Sequence, residues 1–209
     1  MVDAPKLLGN SSAVQERLSQ IELPHMAPLM EFVRRLRSEM GSNASIPYFD
    51  PWDGGINAEV LYLLEAPGPK AIKSGFISRN NPDETAKNFY EVNQQAGIDR
   101  KRTVVWNVVP WYIGSGPHVR PANAKDIEKG TESLAELLQL LPKLRVIVLV
   151  GQKAQKALNY TKVLTPGLVI LDCPHPSPLF VNRKPGNRQL LLTKLRQVRV
   201  VLNENRNPA

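Results

Sequence analysis

Two helix-like stretches open the chain, and from Glu59 onward short apolar runs alternate with helical ones. Residues 12–22 and 27–40 predict the two helices, parted by the Pro24–Pro28 break. In the second, Leu29, Phe32, Val33 and Leu36 share one face, while Arg34, Arg35 and Arg37 project elsewhere. Gly41 to Gly55 is rich in Pro, Gly, Asn and Asp and predicts a connecting loop. Beyond it, Val60–Leu64, Thr103–Trp106, Val146–Val150 and Leu168–Leu171 are apolar runs of strand length. Helical stretches at 84–96, 123–141 and 151–159 fall between them, and a last one covers 187–204. Such alternation predicts an α/β fold: three layers, α/β/α, around a central four-stranded parallel sheet. Residues 1–57 are expected to form a helical extension packed on a domain of residues 58–209, compact overall, with a polar tail (Asn203–Ala209) that frays.

Composition narrows the class. The 42% hydrophobic content is ordinary for a chain with a real core. A net charge of +8 favours a polyanionic partner, although many mildly basic proteins never touch nucleic acid. Cys173 is the only cysteine, and His25, His118 and His175 are scattered without metal-ligand spacing, so no disulfide, zinc or other cofactor is expected. No apolar run approaches the roughly 20 residues of a membrane span, and Met1–Gly9 lacks a signal-peptide stretch. The expectation is a monomer in the cytoplasm, associated with the nucleoid, with no membrane partner.

In a parallel sheet, ligands bind beyond the carboxyl ends of the strands. Here the first strand leads into Glu65-Ala66-Pro67-Gly68-Pro69, the second into Asn107 and the third into Gly151-Gln152. The fourth leads into Cys173-Pro174-His175-Pro176-Ser177-Pro178-Leu179. Glu65, Asn107 and His175 should therefore converge on one cleft. Taken singly, each has a plainer explanation: a rigid turn, a backbone-capping asparagine, a loop histidine. Prolines on both sides of His175 stiffen its loop, which suits a pre-organised site. The segment carrying Arg183, Lys184, Asn187 and Arg188 follows directly and suits phosphate contacts, or a solvated surface.

At this point the residues resemble a family. Glu65-Ala66-Pro67-Gly68 is similar to the first motif of the uracil-DNA glycosylase superfamily, in the form found in its iron–sulfur branch (family 4-like). His175-Pro176-Ser177-Pro178-Leu179 is similar to its second motif, and Asn107 stands at the place of its pocket asparagine. The resemblance spans about residues 58–200. It implies a glycosylase that hydrolyses the N-glycosidic bond of a uracil flipped out of DNA, releasing uracil and leaving an abasic site. By the same resemblance, Asn107 reads the base edge, Phe76 stacks on the base and backbone around Ala66, Pro67 and Gly68 lines the pocket. His175 steadies the uracil anion, with Glu65 in support. Ser177 grips a phosphate and Leu179 wedges into the gap, beside Arg183, Lys184 and Arg188 on the DNA backbone.

Four departures matter. A single cysteine cannot ligate the branch's four-cysteine cluster, so another part of the chain must brace that region. Leu64 precedes Glu65 where the motif usually has Gly. Ala66 stands where the best-known branch has the Asp that orients water, and Gly68 where it has a Tyr that excludes thymine. A binder of uracil or abasic DNA with slow or no turnover fits the same motifs, and so, at the cost of coincidence, does an unrelated α/β nucleotide-binding protein.

Overall fold

The computed structural model describes residues 1–41, 44–116 and 118–204. In chain order, α1 (Ser11–Leu18) and α2 (Ala27–Met40) lead to β1 (Tyr48–Phe49), β2 (Val60–Leu64), α3 (Pro69–Ser74), β3 (Phe76–Ile77), α4 (Glu84–Ala96) and β4 (Thr103–Asn107). A small hairpin, β5 (Gly114–Ser115) and β6 (His118–Val119), precedes α5 (Ala124–Glu132), α6 (Leu134–Gln139), β7 (Val146–Val150), α7 (Gln152–Gln155), α8 (Leu158–Leu164), β8 (Val169–Cys173), α9 (Pro178–Val181) and α10 (Asn187–Asn203).

Strands that are apolar throughout need cover on both faces. β4 and β7 are buried along their whole length, as is β2 apart from Leu64 at its end, and β8 at the edge is half-exposed. They form a four-stranded parallel sheet in the order β4-β2-β7-β8, flanked by helices. From β2 the chain passes outward to β4, then returns to β7 on β2's other side. The β2–β7 boundary is thus the switch point at which a crevice opens beyond the strand ends.

Helix α2 ends at Gly41 and sets Leu29, Met30, Phe32, Val33 and Leu36 into the same core as the sheet. Helix α4 starts at the capping carboxylate of Asp83 and stops at Gly97, whose φ of 69° suits glycine.

The departures from expectation are local. The first helix ends at Leu18 rather than 22, because turns occupy the approach to Pro24. The stretch 123–141 breaks at Ser133 into two helices, and 151–159 becomes α7 and part of α8. The proline-rich loops after β2 and β8 each contain a short helix with Pro at its start, where a missing N–H costs nothing. Residues 205–209 of the expected fraying tail lie outside the described residues. Among the described residues, no helix is long and apolar enough to cross a membrane, and no group of three or more His, Cys, Asp or Glu could hold a metal ion.

Candidate active site

Two cavities meet at His175, beyond the carboxyl end of the sheet. The inner one, about 320 Å³, is walled by Ala66, Pro67 and Gly68 from the β2–α3 turn, Ile77 at the end of β3 with Ser78 and Arg79 after it, Phe89 from α4, and Asn107. The outer one, about 510 Å³, is walled by Glu65, Gln152, Lys153, Ser177, Leu179 and Arg183.

Asn107 ends β4 opposite Leu64 of β2, so the sheet's register fixes its position. It is 3% exposed, and its side-chain Nδ2 has no hydrogen-bond partner. An unpaired buried donor costs about 1–3 kcal/mol, so a fold that keeps one at a cavity wall holds it ready for a ligand acceptor.

His175 follows β8 in an extended, proline-flanked loop, held where Asn88 Nδ2 donates to the Pro176 carbonyl at 3.0 Å. Burial lowers its pKa, against the raising fields of Glu65 and Asp83, so the imidazole is neutral at neutral pH. Its ring packs on Gly151, which has a φ of 88° and whose N–H donates to the Cys173 carbonyl at 2.7 Å. A Cβ at Gly151 would lie 3.1 Å from His175 Cβ and 3.3 Å from Cδ2. Gly151→Ala is therefore expected to fold but to displace the imidazole. The strain at positive φ, about 1–3 kcal/mol, lowers the melting temperature, and the crowding of His175 slows turnover, with chemical-shift changes centred on His175 in NMR.

The other expected residues divide. Ser177 caps α9, its Oγ accepting from Phe180 N–H at 3.3 Å, and lines the outer cavity. Leu179 is 82% exposed, an apolar side chain projecting from the cavity rim. Arg183 lines that cavity too, whereas Lys184 is exposed outside it and Arg188 is tied to Glu91 at 3.1 Å. Glu65 Oε1 accepts from the Ala122 N–H at 2.6 Å and so pins the segment before α5. A side chain added at Gly68 would enter open space. Cys173 is buried, its thiol pushed up to about 12 by desolvation, which leaves it inert.

Phe76 is a correction. It does not face either cavity but is fully buried against Leu8, Ala13 and the Tyr48 ring. The cause is strand parity: β3 pairs with β1, and adjacent side chains on a strand point opposite ways. Phe76 takes the N-terminal side and Ile77 the cavity side. The aromatic ring in the inner cavity belongs to Phe89 instead, set edge-on to Tyr62 at 4.9 Å. Sequence reasoning also missed Ser78, Arg79, Asn81 and Asp83, which enter the wall because α3 and β3 fold the chain back over the strand ends.

A model of the uracil DNA glycosylase superfamily matches residues 51–198. The chain belongs to the uracil DNA glycosylase superfamily. That span contains β2, β4, β7, β8 and every residue of the two cavities. Among solved structures, the solution structure of a candidate uracil DNA glycosylase from Methanosarcina acetivorans is 17% identical, with a TM-score of 0.48 over 68% of this chain and 92% of that one. No curated protein matches the chain.

Proposed function

We propose that this superfamily member is a monofunctional uracil-DNA glycosylase, nearest in its Glu65–Gly68 motif to the Glu-Ala-Pro-Gly branch. It takes a uracil flipped out of DNA into the inner cavity, hydrolyses its N-glycosidic bond and leaves an abasic site. The observation that carries this reading is the unpaired Nδ2 of Asn107 at the wall of a cavity shared with His175. An amide both donates and accepts, so Asn107 matches the adjacent carbonyl and N–H of uracil's Watson–Crick edge. Neutral His175 donates to uracil O2 as negative charge collects there, the kind of pre-organised donor that lowers barriers most. Leu179 on the rim fills the vacated stack, and Ser177, Lys153 and Arg183 take the flanking phosphates. The net charge of +8 adds a sequence-independent attraction for DNA.

The test is single-turnover release of uracil from an oligonucleotide, read by alkali strand scission, beside Asn107→Ala. Loss of a hydrogen bond worth about 1–3 kcal/mol predicts a 5- to 150-fold slower release. Because the donor is unpaired in the free protein, the variant's melting temperature should hold or rise. Release at the wild-type rate would remove Asn107 from the site. Ala66, which has no group to activate water, favours a second reading, a uracil- or abasic-DNA binder. That reading gains if uracil-dependent retention of the oligonucleotide occurs without scission.

A further inference from the structure

The proposed hydrolysis consumes a water, and Ala66 can neither orient it nor take its proton. The side chains that do reach the inner cavity include a single carboxylate among the described residues, that of Asp83. Glu65 lies on the outer side with its Oε1 engaged by the Ala122 N–H. Asp172, also on the outer side, is paired with Lys194 at 2.8 Å. Asp83 shares the inner wall with Asn107 and His175, the two groups assigned to the base itself.

Resting on the glycosylase reading above, we propose that Asp83 is the general base that accepts the proton of the attacking water. As the C1′–N1 bond breaks, its electron pair stays on uracil N1, with the charge shared to O2 beside His175. The water oxygen bonds to C1′ and its proton passes to the Asp83 carboxylate. That proton then leaves to solvent or to the departing uracil anion, which restores the site.

Asp83 has a plainer duty as well. Its Oδ1 accepts from the Ala86 N–H at 2.9 Å and caps α4. A carboxylate offers about four acceptor positions, so a cap leaves others for a water. The charged or titratable groups acting on it are Lys70 of α3, the adjacent Glu84, and His175 across the cavity, while Arg79 shares the cavity wall but is turned to Thr103 and Asp53. Burial raises its pKa above the usual 3.8, with Glu84 adding to that and the Ala86 and Thr85 N–H groups and Lys70 working against it. A carboxylate of raised pKa is a stronger base. Release should therefore fall as pH drops through that raised value.

Asparagine separates the two duties, since it caps helices as well as aspartate but has no basicity. The experiment compares wild type, Asp83→Asn and His175→Ala in single-turnover uracil release across pH, with affinity for an abasic-site oligonucleotide measured alongside. The expected result is an Asp83→Asn protein with unchanged melting and DNA affinity but release slowed by at least about 10²-fold, and without the acid limb. Wild-type release by Asp83→Asn, with His175→Ala slowed, would make Asp83 a cap alone and leave the glycosylase reading standing. A wild-type profile without an acid limb above the usual carboxylate range overturns the inference even where the variant fails to fold. A wild-type protein that releases no uracil overturns both.

Discussion

Replacing His175 with alanine should slow uracil release about 10²–10³-fold, the usual cost of losing one pre-organised donor at a developing negative charge. Affinity for uracil-containing DNA should change little, because the loss falls on a contact that strengthens only as the bond breaks. The lowered pKa of His175 adds a pH signature. Unfolded, the imidazole takes its proton near the ordinary 6.5; folded, it does so at lower pH. Between those values the unfolded chain binds more protons, so stability is lost as pH falls below 6.5 and is retained above it. His175→Ala should remove that dependence while abolishing most release. Denaturant titrations of both proteins above and below pH 6.5, beside single-turnover kinetics, check the two halves together. Wild-type kinetics in the variant would take His175 out of the chemistry.

What the sequence disclosed, and what it hid, follows from the range of the forces involved. Apolar strands such as Val146–Val150 are local patterns, and burial on both faces is the only stable use for them. Parallel strands expose their carboxyl ends on one edge, and strand order brings Asn107 and His175 around one cavity, whereas Glu65, expected to join them, opens on the outer cavity instead. Phe76 could not be anticipated. Its direction depends on the two-residue pairing of β3 with β1, and a single step of parity exchanges it with Ile77. Phe89 carried no signal beyond the apolar face of α4, and Asp83 none beyond a capping residue before a helix. Both become cavity residues only because the α3–β3 segment folds over the strand ends, a tertiary fact without a local pattern.

The same limit applies to what braces that segment. Replacing Asp50 with alanine should cost about 3–5 kcal/mol, the range for removing one partner of a buried ion pair. For a chain of this size that is a fall of roughly 6–20 °C in melting temperature. Asp50 is fully buried and binds four groups at once. Its Oδ1 accepts from Arg17 Nε at 2.8 Å and from the Trp52 N–H at 2.9 Å, while Oδ2 accepts from Arg100 at 2.7 Å and from the Ser78 hydroxyl. Burial alone would raise its pKa, but Arg100 and Arg17, with Ser78 and Trp52, hold it below the usual 3.8. Its contribution to stability is therefore complete above that pH and is lost as pH falls through the lowered folded value. Asp50 thus links α1, through Arg17, to Ser78 beside the inner cavity. It supplies a brace in a chain whose lone cysteine cannot hold a cluster. Removing it leaves two guanidinium groups short of a partner, the partly exposed Arg100 and the fully buried Arg17, which already has Nη1 unpaired. Asp53 makes the internal control. Burial raises its pKa despite Arg79 and Arg100, so its charge is less well compensated and Asp53→Asn should destabilise much less. If melting shows equal losses for both variants, the network is not ordered around Asp50. If Asp50→Ala melts lower and also weakens uracil binding, the N-terminal helices support the cavity wall through this one carboxylate.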